Sequence, residues 1–199
     1  MDVKGASNII ALKKFICLVG LVLISPLLLI CCVLIALEDG LPFFFTQKRI
    51  GLNKVNFTIY KLRTLKYDAP QVGTHDLEDS IKLKTGSIIR GLKLDEFPQL
   101  LNVIKGELNL VGPRPCLESQ EELKKVRELN GVFSVTPGIT GLSQILGYDM
   151  SNPSQLAKVD QLYIQNQTLK LDLIILIGTF VKLPRNCLAL KFNIPNLKK

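Results

Sequence analysis

Two adjacent carboxylates, Asp95 and Glu96, sit in the run Leu94-Asp95-Glu96-Phe97-Pro98-Gln99-Leu100, and folding alone explains one of them better than both. The run reads as the start of a helix that continues to Ile104 and is closed by Lys105-Gly106. At a helix start Asp95 is a natural cap, Glu96 favours the positive end, and Pro98 is tolerated in the first turn. Side by side, however, two carboxylates repel each other, which points to a cation between them or a proton to be handled. An aspartate held at a helix N-terminus is also expected to stay ionised, and so to stay nucleophilic. The neighbouring N–H groups would favour an incoming phosphate.

Basic residues gather around this pair in the sequence. Arg90 lies just before Asp95, Lys61 and Arg63 stand at the end of a predicted hairpin, and Arg114 sits between Pro113 and Pro115. An arginine between prolines has little backbone freedom to lose, and its planar fork suits a phosphate bidentately. Each of these charges alone is ordinarily a solvated surface group. Beside an acid pair, in a chain with a membrane segment, they read together as a diphosphate site. A zinc site has no basis: His75 is the only histidine, and Cys17, Cys31, Cys32, Cys116 and Cys187 form no CxxC pair. Nor do those cysteines form a disulfide framework, which fits a reducing cytoplasm.

The elements that must position these residues follow from the chain around them. Residues 43–66 read as a β-hairpin, with a turn at Gly51-Leu52-Asn53 and in-out alternation from Val55 to Arg63. Residues 68–87 are polar and irregular, a loop that contains His75. Val111-Gly112-Pro113-Arg114-Pro115 cannot be helical, because each proline forces its predecessor toward an extended conformation. Residues 118–129 read as a charged, exposed helix with Gly131 beyond its end, and residues 137–142 as a second rigid turn. Residues 156–163 and 169–183 read as helices; the second is apolar and suits either a core or a membrane interface.

With 199 residues the chain is long enough for one domain with its own core. It is 47% hydrophobic yet carries a net charge of +8, a combination that points to an anionic membrane. Nucleic acid is the other usual partner of a basic protein, but there is no Trp and no zinc-finger or RNP-like signature. Phe15 to Leu37 is free of charge, and as a helix it would measure about 35 Å, enough to cross a hydrocarbon core. It is longer than a signal-peptide apolar region, and no small-x-small cleavage site follows. Lys13 and Lys14 place the N-terminus on the cytoplasmic side. Near the middle of the run, Pro26 leaves the carbonyl of Val22 without its donor, and the hydroxyl of Ser25 can return a hydrogen bond to the freed backbone. Two arrangements are open: a kinked spanning helix, and a re-entrant helix–break–helix that leaves by the face it entered.

Four blocks, in this order, carry a resemblance: Lys61-Leu62-Arg63-Thr64-Leu65; Leu94 to Leu100; Lys105 to Pro115, which ends in Val-Gly-Pro-Arg-Pro; and Pro137-Gly138-Ile139-Thr140-Gly141. They closely resemble the monotopic phosphoglycosyl transferases, the bacterial sugar transferase family, in its small form without extra N-terminal transmembrane helices. The resemblance runs from about Lys13 to Phe180 and includes the Ser-Pro of the apolar helix. It implies an α+β, mostly helical fold. A re-entrant membrane helix over residues 1–39 would precede a small cytoplasmic catalytic domain over 40–199, with a β-hairpin and interfacial helices.

The resemblance also implies a reaction. A sugar-1-phosphate moves from a UDP-sugar to undecaprenyl phosphate at the bacterial inner membrane, as the first membrane step of glycan assembly. Asp95 would be the nucleophile that expels UMP, and Glu96 would handle metal or proton. Mg2+ would be held by both acids. Lys61, Arg63, Arg90, Arg114 with Pro113 and Pro115, and Gln144 would bind substrate phosphate. Membrane lipids and downstream glycosyltransferases would be partners. Tyr148-Asp149 follows Gly147 where the family often has Gly-Arg, so the sugar does not carry over. A non-catalytic lipid-binding anchor is the competing class; it would be marked by loss of the acid pair, which is present.

Overall fold

The computed structural model describes residues 3–69, 81–181, 187–189 and 191–192. His75 and most of the predicted 68–87 loop therefore lie outside the described residues. The described chain is mostly helical with two two-stranded sheets, and its contacts divide it into two units. One comprises Met1–Gln47 with Thr58–Lys105, the other Lys48–Phe57 with Gly106–Lys199.

The first unit is built on α1 (Val3–Asp39), whose segment Ile10–Asp39 is long and apolar enough to cross a membrane. The helix runs on through Pro26, and Ser25 Oγ donates to the Val22 carbonyl at 2.7 Å, the very carbonyl the proline leaves unpaired. Leu28, Cys31, Cys32 and Ile35 recur at helical spacing and pack with Leu62, Leu83, Ile89 and Leu94. Leu23, Leu29, Ile30 and Leu37 stay exposed. Thus α1 is more than an anchor: its C-terminal half forms the core of this unit, and Leu94, the neighbour of Asp95, lies against it.

After α1 come β1 (Phe44–Ile50) and β2 (Asn56–Leu62), the expected hairpin, closed by a short turn in which Asn53 and Lys54 take positive φ. Its open end belongs to the first unit and its tip to the second. The next helix, α2 (Lys84–Gly91), starts inside what the sequence reads as loop. Its amides at Lys84 and Thr85 donate to the Glu38 carboxylate, at 2.6 and 2.9 Å. The cap comes from the end of α1, far away in sequence, so no local pattern announces it. Gly86 lets α2 sit directly on the backbone of Thr64; a Cβ there would meet the Thr64 carbonyl oxygen, and its Cα at 2.8 Å.

The predicted helix 94–104 is two pieces, a 3-10 turn at Leu94–Gln99 and then α3 (Leu100–Lys105), ended by Gly106 at φ +87°. From α3 the fully buried Asn102 reaches β2. Its amide donates to Thr58 O at 2.7 Å and its oxygen accepts from Tyr60 N at 3.4 Å. The side chain thereby substitutes for a neighbouring strand on the β2 edge. Asn102→Ala leaves half-buried backbone groups of β2 unpaired and should cost about 1–3 kcal/mol, read as a lower melting temperature in detergent. An unchanged melting temperature would show that water replaces the amide.

In the second unit β3 (Asn109–Val111) runs parallel to β4 (Gly138–Thr140), Asn109 opposite Gly138 and Val111 opposite Thr140. The rigid turn expected at 137–142 is therefore corrected to a strand followed by α5 (Leu142–Ile145). Between β3 and β4 lies α4 (Glu121–Leu129), with Gly131 at φ +67° beyond it. Asn152 caps α6 (Pro153–Gln165) and Thr168 caps α7 (Leu169–Phe180), each accepting from an amide in the first turn. Of the two settings left open for α7, the core one holds for Leu171, Ile175 and Gly178, which are buried. Leu169, Leu173, Ile177 and Phe180 form an exposed apolar face.

Candidate functional site

The 3-10 turn gives Asp95 and Glu96 different surroundings. Lys93, at φ +57°, turns the chain into Leu94, which is buried on α1. Asp95 follows and is buried, with 6% of its surface exposed. It occupies no cap position, and no side-chain cap bond is made there, so the capping role that the sequence allowed it is not the one it plays. Glu96 is half-buried and accepts from Lys61 Nζ at 2.6 Å. Lys61 comes from β2, whose edge Asn102 ties to α3, so the hairpin delivers an ammonium to the acid pair.

Burial pushes the Asp95 carboxyl above its ordinary range; Lys61 pulls it down, Glu96 adds to the rise, and Arg90 opposes it. This corrects the expectation that a helix start keeps Asp95 readily ionised, because desolvation outweighs the nearby cations. Arg90 is aimed by α2. One turn after Gly86 meets Thr64, the Arg90 Nη2 donates to Thr64 Oγ1 at 2.8 Å. The first unit therefore brings together Asp95, Glu96, Lys61 and Arg90.

Arg63 belongs to the same unit but is buried. Its Nη1 donates to Asp39 Oδ2 at 2.6 Å, and its Nη2 to the carbonyls of Asp39 and Gly40 at 3.1 and 2.6 Å. It thus closes the C-terminal end of α1, where unpaired carbonyls and a negative dipole favour a cation. Sequence reasoning missed Asp39 as its partner; an acid straight after an apolar helix reads as a membrane flank.

Pro113, Arg114, Pro115 and Gln144 lie in the second unit. Arg114 is half-buried between two buried prolines, beside a cleft also lined by Val132, Phe133 and Pro137. Gln144 donates to Ile139 O at 3.2 Å, and its Oε1 is buried without a hydrogen-bond partner among the described residues. Also missed were Arg127 and Asp160, buried and paired at 2.6 Å. Each stands in a charged or mixed helix, where sequence offers only a solvated face.

No group of three or more His, Cys, Asp and Glu side chains converges among the described residues. Asp95 and Glu96 supply two hard carboxylates, one of them desolvated, which fits Mg2+ when water and phosphate oxygens complete its shell.

Comparison with known proteins places these features. The family profile described as "Bacterial sugar transferase" matches residues 9–186. The chain is 41% identical over 159 residues to the sugar transferase EpsL of Bacillus subtilis, covering 79% of this chain and 78% of the relative. It is 36% identical over 191 residues to the exopolysaccharide production protein ExoY of Rhizobium meliloti, covering 86% and 81%. It is also 36% identical over 168 residues to the UDP-glucose:undecaprenyl-phosphate glucose-1-phosphate transferase of Caulobacter vibrioides, covering 79% of this chain and 62% of that protein. A profile that spans nearly the whole chain, with relatives matched over most of both lengths, shows that this chain belongs to the bacterial sugar transferase family.

Proposed function

We propose that the protein transfers a sugar-1-phosphate from a UDP-sugar to undecaprenyl phosphate in two steps through Asp95. The observation that carries this reading is a buried carboxylate flanked by Lys61, Arg90 and Glu96, in the unit whose core is the apolar helix α1. In the first step an Asp95 oxygen attacks the sugar-bearing phosphorus. The bond from that phosphorus to the bridging oxygen breaks, and UMP leaves with its electron pair. In the second, an oxygen of undecaprenyl phosphate attacks the same phosphorus, freeing the carboxylate and leaving a lipid diphosphate sugar. Lys61 and Arg90 offset phosphate charge. Arg114 contributes a bidentate phosphate contact, a role that rests on the family resemblance. Asp95 and Glu96 would hold Mg2+, which when bound neutralises diphosphate charge.

A panel of UDP-sugars, assayed for UMP release with undecaprenyl phosphate in detergent, tests the reading. One or a few sugars should give UMP, EDTA should abolish it, and Mg2+ should restore it. No release from any UDP-sugar in the presence of Mg2+ would overturn it.

The same reading places the active site on the cytoplasmic face of the inner membrane, with α1 re-entrant and the exposed face of α7 on the lipid interface. Re-entry would need α1 to bend at Pro26, where the Ser25–Val22 bond makes a bend tolerable in lipid; the exposed Leu169, Leu173, Ile177 and Phe180 suit the interface. Single cysteines near each terminus, in a cysteine-free background, should both resist impermeant reagents in intact cells. Labelling of the C-terminal one alone would show a spanning helix.

A further inference from the structure

Proline gives the 113–116 segment a problem of its own. Pro113 and Pro115 carry no N–H, so a strand ladder cannot hold Arg114 between them. The segment is held by its carbonyls instead, all four in succession. Pro113 O accepts from Gly138 N at 3.0 Å, and Cys116 O accepts from Ile50 N at 3.0 Å. Between them Arg114 O accepts from Arg127 Nη1 at 2.6 Å, and Pro115 O accepts from Arg49 Nη1 at 3.0 Å.

The two central bonds come from buried guanidinium groups. Arg127 is 1% exposed and Arg49 9%. Arg127 is in turn fixed by Asp160, whose Oδ2 accepts from its Nη2 at 2.6 Å; the buried Ser143 hydroxyl donates to Oδ1 of the same carboxylate at 2.8 Å. Helices α4, α5 and α6 thus converge on one backbone oxygen. A buried ion pair is weak evidence for stability, since well-packed apolar residues often do as well. Its use here is geometric: it fixes the backbone of the one residue in the segment with a charged, half-buried side chain.

We propose that Arg127, held by Asp160 and Ser143, is a positioning residue that acts through Arg114, and that Arg49 assists it from Pro115. The inference rests on the proposed phosphate-binding role of Arg114. Arg127→Lys keeps a charge for Asp160 but loses the second prong on Arg114 O. With the UDP-sugar selected by the panel, it should lower kcat/KM about ten- to a hundredfold, chiefly through the KM for UDP-sugar, as small misplacements of binding groups do. The KM for undecaprenyl phosphate should hold.

The decisive comparison places Arg127→Lys in two backgrounds, native and Arg114→Ala. A loss in the native background that vanishes in Arg114→Ala supports the proposal. Equal losses in both overturn it while leaving the phosphate role of Arg114 standing. A fully active Arg114→Ala removes that role, and this proposal with it. Should Arg127→Lys fold poorly, Arg49→Lys runs the same cycle at the less buried end; its loss should likewise vanish in Arg114→Ala, and equal losses would overturn the proposal.

Discussion

Asp95→Asn should lose at least about a thousandfold in turnover, as removal of a covalent nucleophile does, and should melt higher than the native protein at neutral pH. The two effects have one cause. Burial raises the Asp95 carboxyl, with Lys61 and Arg90 only partly offsetting the cost. A carboxyl whose folded pKa exceeds its unfolded value contributes stability that is fully present below the ordinary value near 3.8 and is lost as pH rises through the raised one. Above the raised value the native fold carries an ionised, desolvated carboxylate, and the amide removes that strain. The gain in melting temperature should shrink as pH falls toward the ordinary aspartate range. Turnover runs the other way, since the attacking group must be ionised. The acid limb of kcat/KM should move up in Lys61→Met and down in Glu96→Gln, because Lys61 lowers and Glu96 raises the Asp95 carboxyl. Incubation with UDP-sugar and Mg2+ but no lipid should yield a phosphosugar adduct on Asp95, seen by intact mass and discharged by undecaprenyl phosphate. Sequential kinetics together with an active Asp95→Asn would sink the covalent step.

The acid pair was legible in the sequence because adjacency of like charges needs a reason. Its environment was not. Whether Asp95 is ionised depends on α1 covering Leu94, on β2 delivering Lys61, and on Gly86 seating α2 so that Arg90 faces inward. All three are contacts between residues far apart in the chain, and the sign of the pKa shift follows from them rather than from the local turn. Arg63 shows the same limit from the other side. Its spacing from Lys61 marks both as charges at a hairpin end, and only the fold shows that its guanidinium goes to Asp39 and two carbonyls.

Elements with a local cause were read correctly. The hairpin and the helix–glycine stop at Lys105-Gly106 each carry their own turn signal; α4 carries a helical period, but it begins at Glu121 rather than 118 and buries Leu123 and Arg127. The misread ones lacked such a cause. The start of α2 is capped by Glu38, and β4 is a strand because β3 lies beside it, although its Pro-Gly opening is a turn signature. Three-residue parallel strands are set by tertiary contact, since so short a segment has no measurable period.

The β3–β4 pair gives the largest stability effect expected of any single methyl group here. A Cβ on Gly138 would meet the amide nitrogen of Gly112 and the Val111 carbonyl carbon at 2.6 Å; one on Gly112 would meet Gly138 N at 2.8 Å. Gly141 faces the Gly112 carbonyl as closely. The glycines of Val-Gly-Pro-Arg-Pro and of Pro-Gly-Ile-Thr-Gly are therefore two halves of one close backbone approach, and backbone cannot move aside as a side chain can. Gly138→Ala should cost at least about 3 kcal/mol, beyond ordinary overpacking. It should also release the Pro113 carbonyl, and with it one of the four holds on the Arg114 segment. Gly91→Ala is the matched control. It sits in the last turn of α2 with nothing within 4 Å of its added carbon, so helix propensity should stabilise it by about 0.5–1 kcal/mol. Melting curves of the two variants in the same detergent should move in opposite directions. A Gly138→Ala protein that melts with the native one would mean that β3 and β4 do not touch as described.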